Sequence, residues 1–129
     1  MPQFSKRSLS RLASCDAQLQ MVCNAAIEKT DFAVLQGYRG EAEQNDAFDR
    51  GMSKLRYPKS KHNAWPSRAV DIAPYPIDWN DTKRFVALAD IMLAEAKRLG
   101  VNMRWGGDWN RNGEWRDEKF RDMPHFELV

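Results

Sequence analysis

The chain has 129 residues, room for one compact domain and too little for two of ordinary size. With 43% hydrophobic and 29% charged residues, it reads as a soluble globular protein and not a disordered one. Its formal net charge is +2, with Lys and Arg interleaved among acids; no concentrated basic stripe points to nucleic acid as a partner.

Lys6, Arg7 and Arg11 are followed by Ser8, Ser10, Ser14 and Asp16 and not by an apolar run, so no secretory signal peptide is expected. Residues 8 to 29 predict one amphipathic helix, with Leu12, Cys15, Leu19, Val22 and Ala26 at three- and four-residue spacing. Cys15 and Cys23 would then lie about 12 Å apart along the helix, too far to bridge, and buried thiols are expected. Phe32 to Leu35 predicts a buried strand that ends at Gly37, before Tyr38-Arg39. Residues 41 to 50 predict a short helix with Phe48 inward, and residues 51 to 66 a loop that delivers His62. A short strand follows over 68 to 73, closed by Pro74 and Pro76. Asn80 or Asp81 caps the clearest helix, whose apolar face is Phe85, Leu88, Met92, Ala96 and Leu99, widened by Ile91 and stopped at Gly100. Residues 101 to 105 predict a strand, 106 to 121 a polar loop, and 125 to 129 the closing strand. No stretch reaches the roughly 20 apolar residues of a membrane span. The order predicts an α+β fold: a small antiparallel or mixed sheet carries the site, and helices pack on its back.

The two histidines carry the chemistry. Each stands near a carboxylate, in Ser60-Lys61-His62 through Ala69-Val70-Asp71 and in Asp122-Met123-Pro124-His125-Phe126-Glu127. Strand alternation puts Asp71 on one face with Ala69 and Ala73, and His125 on one face with Glu127. Adjacent strands with those faces aligned would bring Asp71 and His125 together, and His62 could join them from its loop. Two imidazoles and a carboxylate make a three-ligand zinc site with its fourth position open. Asp122 could lean over that site from the entry turn as a base. Taken singly, these residues read as well as an ordinary core histidine, a hydrogen-bonded aspartate and, for Asp122 and Glu127, solvated charges.

Together these segments resemble the zinc peptidases of bacterial cell-wall peptides, the D-alanyl-D-alanine carboxypeptidase and L-alanyl-D-glutamate peptidase group, which is related in fold to the hedgehog domain. The shared pattern is Ser-x-His, Ala-x-Asp and acid-x-x-His. Gln36-Gly37-Tyr38-Arg39 with Gln44 looks like the family's arginine motif. Asp71 to Tyr75, Ile77-Asp78-Trp79 and Trp105-Gly106-Gly107-Asp108-Trp109 look like phage endolysins of the L-alanyl-D-glutamate type. The resemblance implies His62, Asp71 and His125 as zinc ligands, Asp122 as general base, and Arg39 as the cation at the substrate carbonyl. It implies that Ser60 orients the loop. The step of nine residues from His62 to Asp71 is longer than usual in the family; Trp65-Pro66 look like part of an enlarged loop, and the shape of the cleft near His62 is not fixed by the resemblance.

Asp108-Trp109-Asn110-Arg111-Asn112-Gly113 matches the first half of a calcium loop. Lys119 stands where the bidentate Glu belongs, with Asp117 or Glu118 as substitutes; a plain polar turn is the alternative. Trp65, Trp105, Trp109 and Trp115 fall in or near loops around the site, as groove walls or as loop packing.

The reading is a single catalytic domain over 1–129 with no separate wall-binding domain, a monomer with no membrane or nucleic-acid partner. It would cleave peptidoglycan stem peptides as an endolysin, waiting in the host cytoplasm until a holin admits it to the wall. The alternatives are a D-alanyl-D-alanine-type carboxypeptidase and a non-catalytic wall-binding module with a structural zinc.

Overall fold

The computed structural model describes residues 2–116 and 122–129. Four strands form one sheet in the order β1-β2-β4-β3: β1 is Phe32–Gln36, β2 Ala69–Pro74, β3 Met103–Trp105 and β4 His125–Leu128. Every pairing is antiparallel, which decides between the two sheet types expected. Val70 and Ile72 of β2 and Phe126 and Leu128 of β4 point into the core. Period-2 alternation turns Asp71, His125 and Glu127 to the opposite face.

Among the described residues the α-helices are α1, Lys6–Ala13, α2, Ala17–Ile27, α3, Glu41–Asp49, and α4, Thr82–Leu99. α4 packs on β2, β3 and α2, and α1 packs on β1. Phe85, Leu88, Met92 and Ala96 form the buried stripe of α4. Asp81 caps it by accepting from the Arg84 amide, and Gly100 ends it in the left-handed region at φ 74°, where a glycine carries no steric penalty. Leu99 and Ile91 are only partly buried at its margin.

The expected single helix over 8 to 29 is two helices. Asp16 accepts from the Gln18 amide at 2.9 Å and starts α2, a cap geometry an aspartate favours over a helix interior. The Ser14 hydroxyl donates to the Arg11 carbonyl at 2.6 Å and accepts from the Tyr38 amide at 2.9 Å. The freed backbone bonds Ser67 on both sides, Ser67 N to Ser14 O and Asp16 N to Ser67 O, each at 2.8 Å. Cys15 sits in this break and Cys23 in α2, both free and buried. Burial pushes the Cys15 thiol up to about 12 and raises that of Cys23 as well, so neither forms a thiolate near neutrality.

In α3 the fully buried side chain is Gln44, while Phe48, expected inward, is half-buried under the Arg56 guanidinium. Polar burial wins there because every arm of the Gln44 amide finds a partner. Among the described residues, no helix is long and apolar enough to cross a membrane.

Candidate functional site

The β2–β4 register sets Asp71 directly opposite His125. The third member, His62, comes from a single 3-10 turn at Lys61–Asn63, held by a capping box: the Ser60 hydroxyl accepts from the turn's amides and Asn63 Oδ1 accepts from the Ser60 amide. His62 Nε2 and His125 Nδ1 each lie 3.2 Å from Asp71 Oδ1, and 3.3 Å from each other. Tetrahedral bonds of about 2.0–2.1 Å separate ligand atoms by about 3.3 Å. The three atoms thus have the spacing of one face of such a tetrahedron, and all three residues line the cleft. Residues and geometry both fit a divalent ion.

The far nitrogens are fixed. His62 Nδ1 donates to the Gly37 carbonyl at 2.8 Å, and His125 Nε2 donates to Glu127 Oε1 at 2.8 Å. With the outer nitrogen so engaged, the inner nitrogen is the one left to ligate an ion once it carries no proton. Glu127 is itself held by Arg104, at 2.7 Å, from the opposing register position on β3. Burial pushes the Glu127 carboxyl up, but the bonds from His125 and Arg104 outweigh it and bring it down to about 2. Asp71 follows the same balance: burial works against its charge, yet the two histidines hold it well below the usual carboxylate range. Burial works against the His125 cation as well, but Asp71 and Glu127 raise it to about 9.

Asp122 sits in the turn before β4, its Oδ2 3.9 Å from His125 Nδ1. Its amide donates to the Gly106 carbonyl at 2.8 Å, and its carbonyl accepts from the His125 amide at 3.0 Å. A Cβ on Gly106 would stand 2.3 Å from the Asp122 carbonyl oxygen, so only glycine lets the two segments approach this closely. Burial, then the neighbouring Asp71, raises the Asp122 carboxyl, which makes it a better proton acceptor than a solvated aspartate.

Arg39 leaves β1 beyond a bulge and reaches Asp71 Oδ2 at 3.5 Å and Gln44 Oε1 at 3.0 Å. Its amide bonds the His62 carbonyl at 2.8 Å. Gln44 also donates to Ser53 Oγ and the Leu55 carbonyl, so it fixes Arg39 and the following loop from within. Ser60, buried, shapes the His62 turn.

Trp105, expected at the groove, is a core residue of β3. Its ring stacks on Phe126, and its Nε1–H donates to the Met123 carbonyl at 2.7 Å, which braces the Asp122 turn. Trp65 is 72% exposed against the edge of Tyr38, and Trp115 packs partly on the core. Trp109 lines the cleft and tilts against the His125 ring at 5.4 Å. Arg104 was not singled out in the sequence, because its importance comes from cross-strand register; Glu127 was placed on the face of His125 but given no partner, and Trp79 was named only in the resemblance and given no role. All three line the same cavity of about 840 Å³ as the metal-type cluster.

The side-chain oxygens of Asp108, Asn110 and Asn112 accept from backbone amides of their own turn, Asn112 N, Gly113 N and Glu114 N among them. Asp117, Glu118 and Lys119, the remaining members of the calcium pattern, lie outside the described residues.

A family model described as phage L-alanyl-D-glutamate peptidase matches residues 1–129. The L-alanyl-D-glutamate peptidase of Escherichia phage T5 is 39% identical, over 98% of this chain and 98% of that one. The peptidoglycan L-alanyl-D-glutamate endopeptidase CwlK of Bacillus subtilis (strain 168) is 27% identical, over 81% of this chain and 65% of that one. The crystal structure of the Serratia marcescens L-Ala D-Glu endopeptidase ChiX superposes with a TM-score of 0.78 at 25% identity, over 98% of this chain and 90% of that one.

Proposed function

Because the chain belongs to the phage L-alanyl-D-glutamate peptidase family, we propose that it hydrolyses the L-alanyl-D-glutamate bond of peptidoglycan stem peptides as a zinc-dependent endopeptidase. The observation that carries the zinc reading is the triangle of His62 Nε2, Asp71 Oδ1 and His125 Nδ1, with edges of 3.2 to 3.3 Å. When bound there, a zinc ion supplies Lewis-acid chemistry, acidifying a water and polarising the scissile carbonyl.

The protein's own residues do the rest. Asp122, raised by burial, takes the proton of the attacking water and returns it to the amine of the departing D-glutamate. Arg39, held by Gln44, is positioned to set its cation against the carbonyl oxygen as negative charge develops there. Glu127 and Gly37 hold the two imidazoles in the ligating orientation. As a phage lytic enzyme the protein would meet its substrate once a holin had opened the membrane. Calcium in the Asp108 turn belongs to the same proposal; its oxygens accept from backbone amides and keep further lone pairs for an ion.

Mass spectrometry of muropeptides before and after digestion tests the reading. New amino-terminal D-glutamate supports it, and released D-alanine would move the activity to the carboxypeptidase type. Loss of cleavage on chelation and recovery with zinc separate a metallopeptidase from a wall-binding module. Asp122→Asn should lower kcat by about 10²–10⁴ while leaving zinc bound.

A further inference from the structure

An exposed tryptophan in the active-site cleft has no part in the chemistry above. Trp79 is 59% exposed, yet it lines the same cavity as His62, Asp71 and His125. One face of its indole stacks on Phe85, with ring centroids 5.5 Å apart and planes at 21°, and Phe85 is buried in α4. The turn that carries it is tied at both ends. Asn80 N and Asp81 N bond Asp78, Asp81 caps α4, and the Arg84 guanidinium donates to the Pro76 carbonyl at 2.7 Å. A large apolar ring is therefore held in a fixed orientation, and its other face is available to whatever enters the cleft.

The two ends of the cleft differ in chemistry. The end at the start of β2 includes Lys61, whose carbonyl accepts from the Arg68 amide and whose ammonium donates to the Leu128 carbonyl at 2.6 Å. Lys59, two residues before Lys61 in the chain, and Glu43 and Asp46 of α3, which follows the end of β1 paired with Asp71, line the cavity too, so the cavity carries charges of both signs. Trp79 follows the other end of β2, beyond Pro74, with Asp71 between. The substrate has the same polarity. On the leaving side of an L-alanyl-D-glutamate bond stands a glutamate with two carboxyl groups, only one of which continues the peptide, so that side is charged. On the other side the first alanine is joined through a lactyl group to a neutral sugar ring.

We propose that the open face of Trp79 is the platform for the glycan side of the substrate, with the muramyl pyranose stacked on the indole through its C–H face. This rests on the peptidase reading and adds a direction to it: sugar at the Trp79 end, D-glutamate and the residues after it at the charged end. It makes Trp79 a specificity-determining residue that tells a stem peptide on its glycan from a free peptide.

The test compares two substrates that differ only in the sugar ring, a muramyl stem peptide and the same peptide capped with lactyl, on the wild type, Trp79→Ala and Trp79→Phe. A contact as strong as an aromatic pair corresponds to about a two- to tenfold preference. The wild type should prefer the muramyl substrate by about that factor in kcat/KM, Trp79→Ala should erase the preference, and Trp79→Phe should keep part of it. An equal kcat/KM on both substrates in the wild type overturns the proposal, as does a preference that survives Trp79→Ala. Should Trp79→Ala fail to fold, an undiminished preference in Trp79→Phe overturns it. Cleavage of neither substrate by the zinc-loaded wild type would instead sink the peptidase reading itself.

Discussion

His125 divides its two nitrogens between the metal-type cluster and the protein, and the protein's half is a chain of charge. Nε2 donates to Glu127, and Glu127 accepts from Arg104. A lone carboxylate at that depth would be costly; paired on both sides it stays ionised and fixes the ring. Removing such an outer partner typically costs 10–100-fold in metal affinity. Glu127→Ala should therefore weaken zinc binding by about that factor in a chelator competition, and unchanged affinity would mean that Asp71 alone orients the ring. The same electrostatics give a pH signature. In the metal-free protein His125 is raised from 6.5 to about 9. Its proton thus stabilises the fold fully below the unfolded value, and that stability is lost as pH rises through about 9. The ion competes for the same lone pair, so the two trends run oppositely between those limits: metal-free melting temperature falls with pH, while zinc affinity rises. Calorimetry at pH 7 in buffers of different ionisation enthalpy should find about one proton released per zinc bound; zero release at pH 7 would contradict a protonated His125.

At the level of elements, the site depends on close approaches that only glycine permits. A Cβ on Gly37 would stand 2.2 Å from Ser14 Oγ and 2.4 Å from the Arg11 carbonyl oxygen, at the cap and in the last turn of α1. Gly37 also supplies the carbonyl that orients His62. Gly37→Ala should cost about 1–3 kcal/mol, as overpacking does, and should weaken zinc binding as well. A variant that lost stability but bound zinc as tightly would show that the His62 turn is positioned independently. This coupling marks where the sequence stopped being legible. Asp71 and His125 could be matched because strand alternation carries their facing directly, and the β2–β4 register then put them opposite each other. The break at Ser14-Cys15-Asp16 was not legible, since Cys15 continues the helical spacing and the bonds to Ser67 and Tyr38 that hold the break open come from distant segments. Glu127 read as a solvated charge because its partner, Arg104, is adjacent only through the pairing of β3 with β4. Trp105 sat beside a loop in the sequence, yet its strand carries it into the core.

Over the whole molecule, the three candidate ligands come from three separate segments, the turn after α3, the central strand β2, and β4 at the end of the chain. An ion held by all three would bind the folded chain and not the unfolded one, and would stabilise it by mass action. At a free zinc concentration of 100 times Kd the gain is about 2.7 kcal/mol, worth about 10 degrees of melting temperature at this size. The prediction is a melting temperature that rises with zinc and falls with a chelator. Asp71→Ala complicates the absolute value, because without metal it also removes the carboxylate that both histidines face and destabilises the metal-free fold. The informative quantity is therefore the zinc-dependent increment, obtained by differential scanning calorimetry with and without metal. It should be present in the wild type and absent in Asp71→Ala, whatever each protein's starting stability. An increment that persisted in Asp71→Ala would place the ion elsewhere, and the 3.2 Å approach of the two imidazoles to Asp71 would then be a buried charge network serving the fold alone.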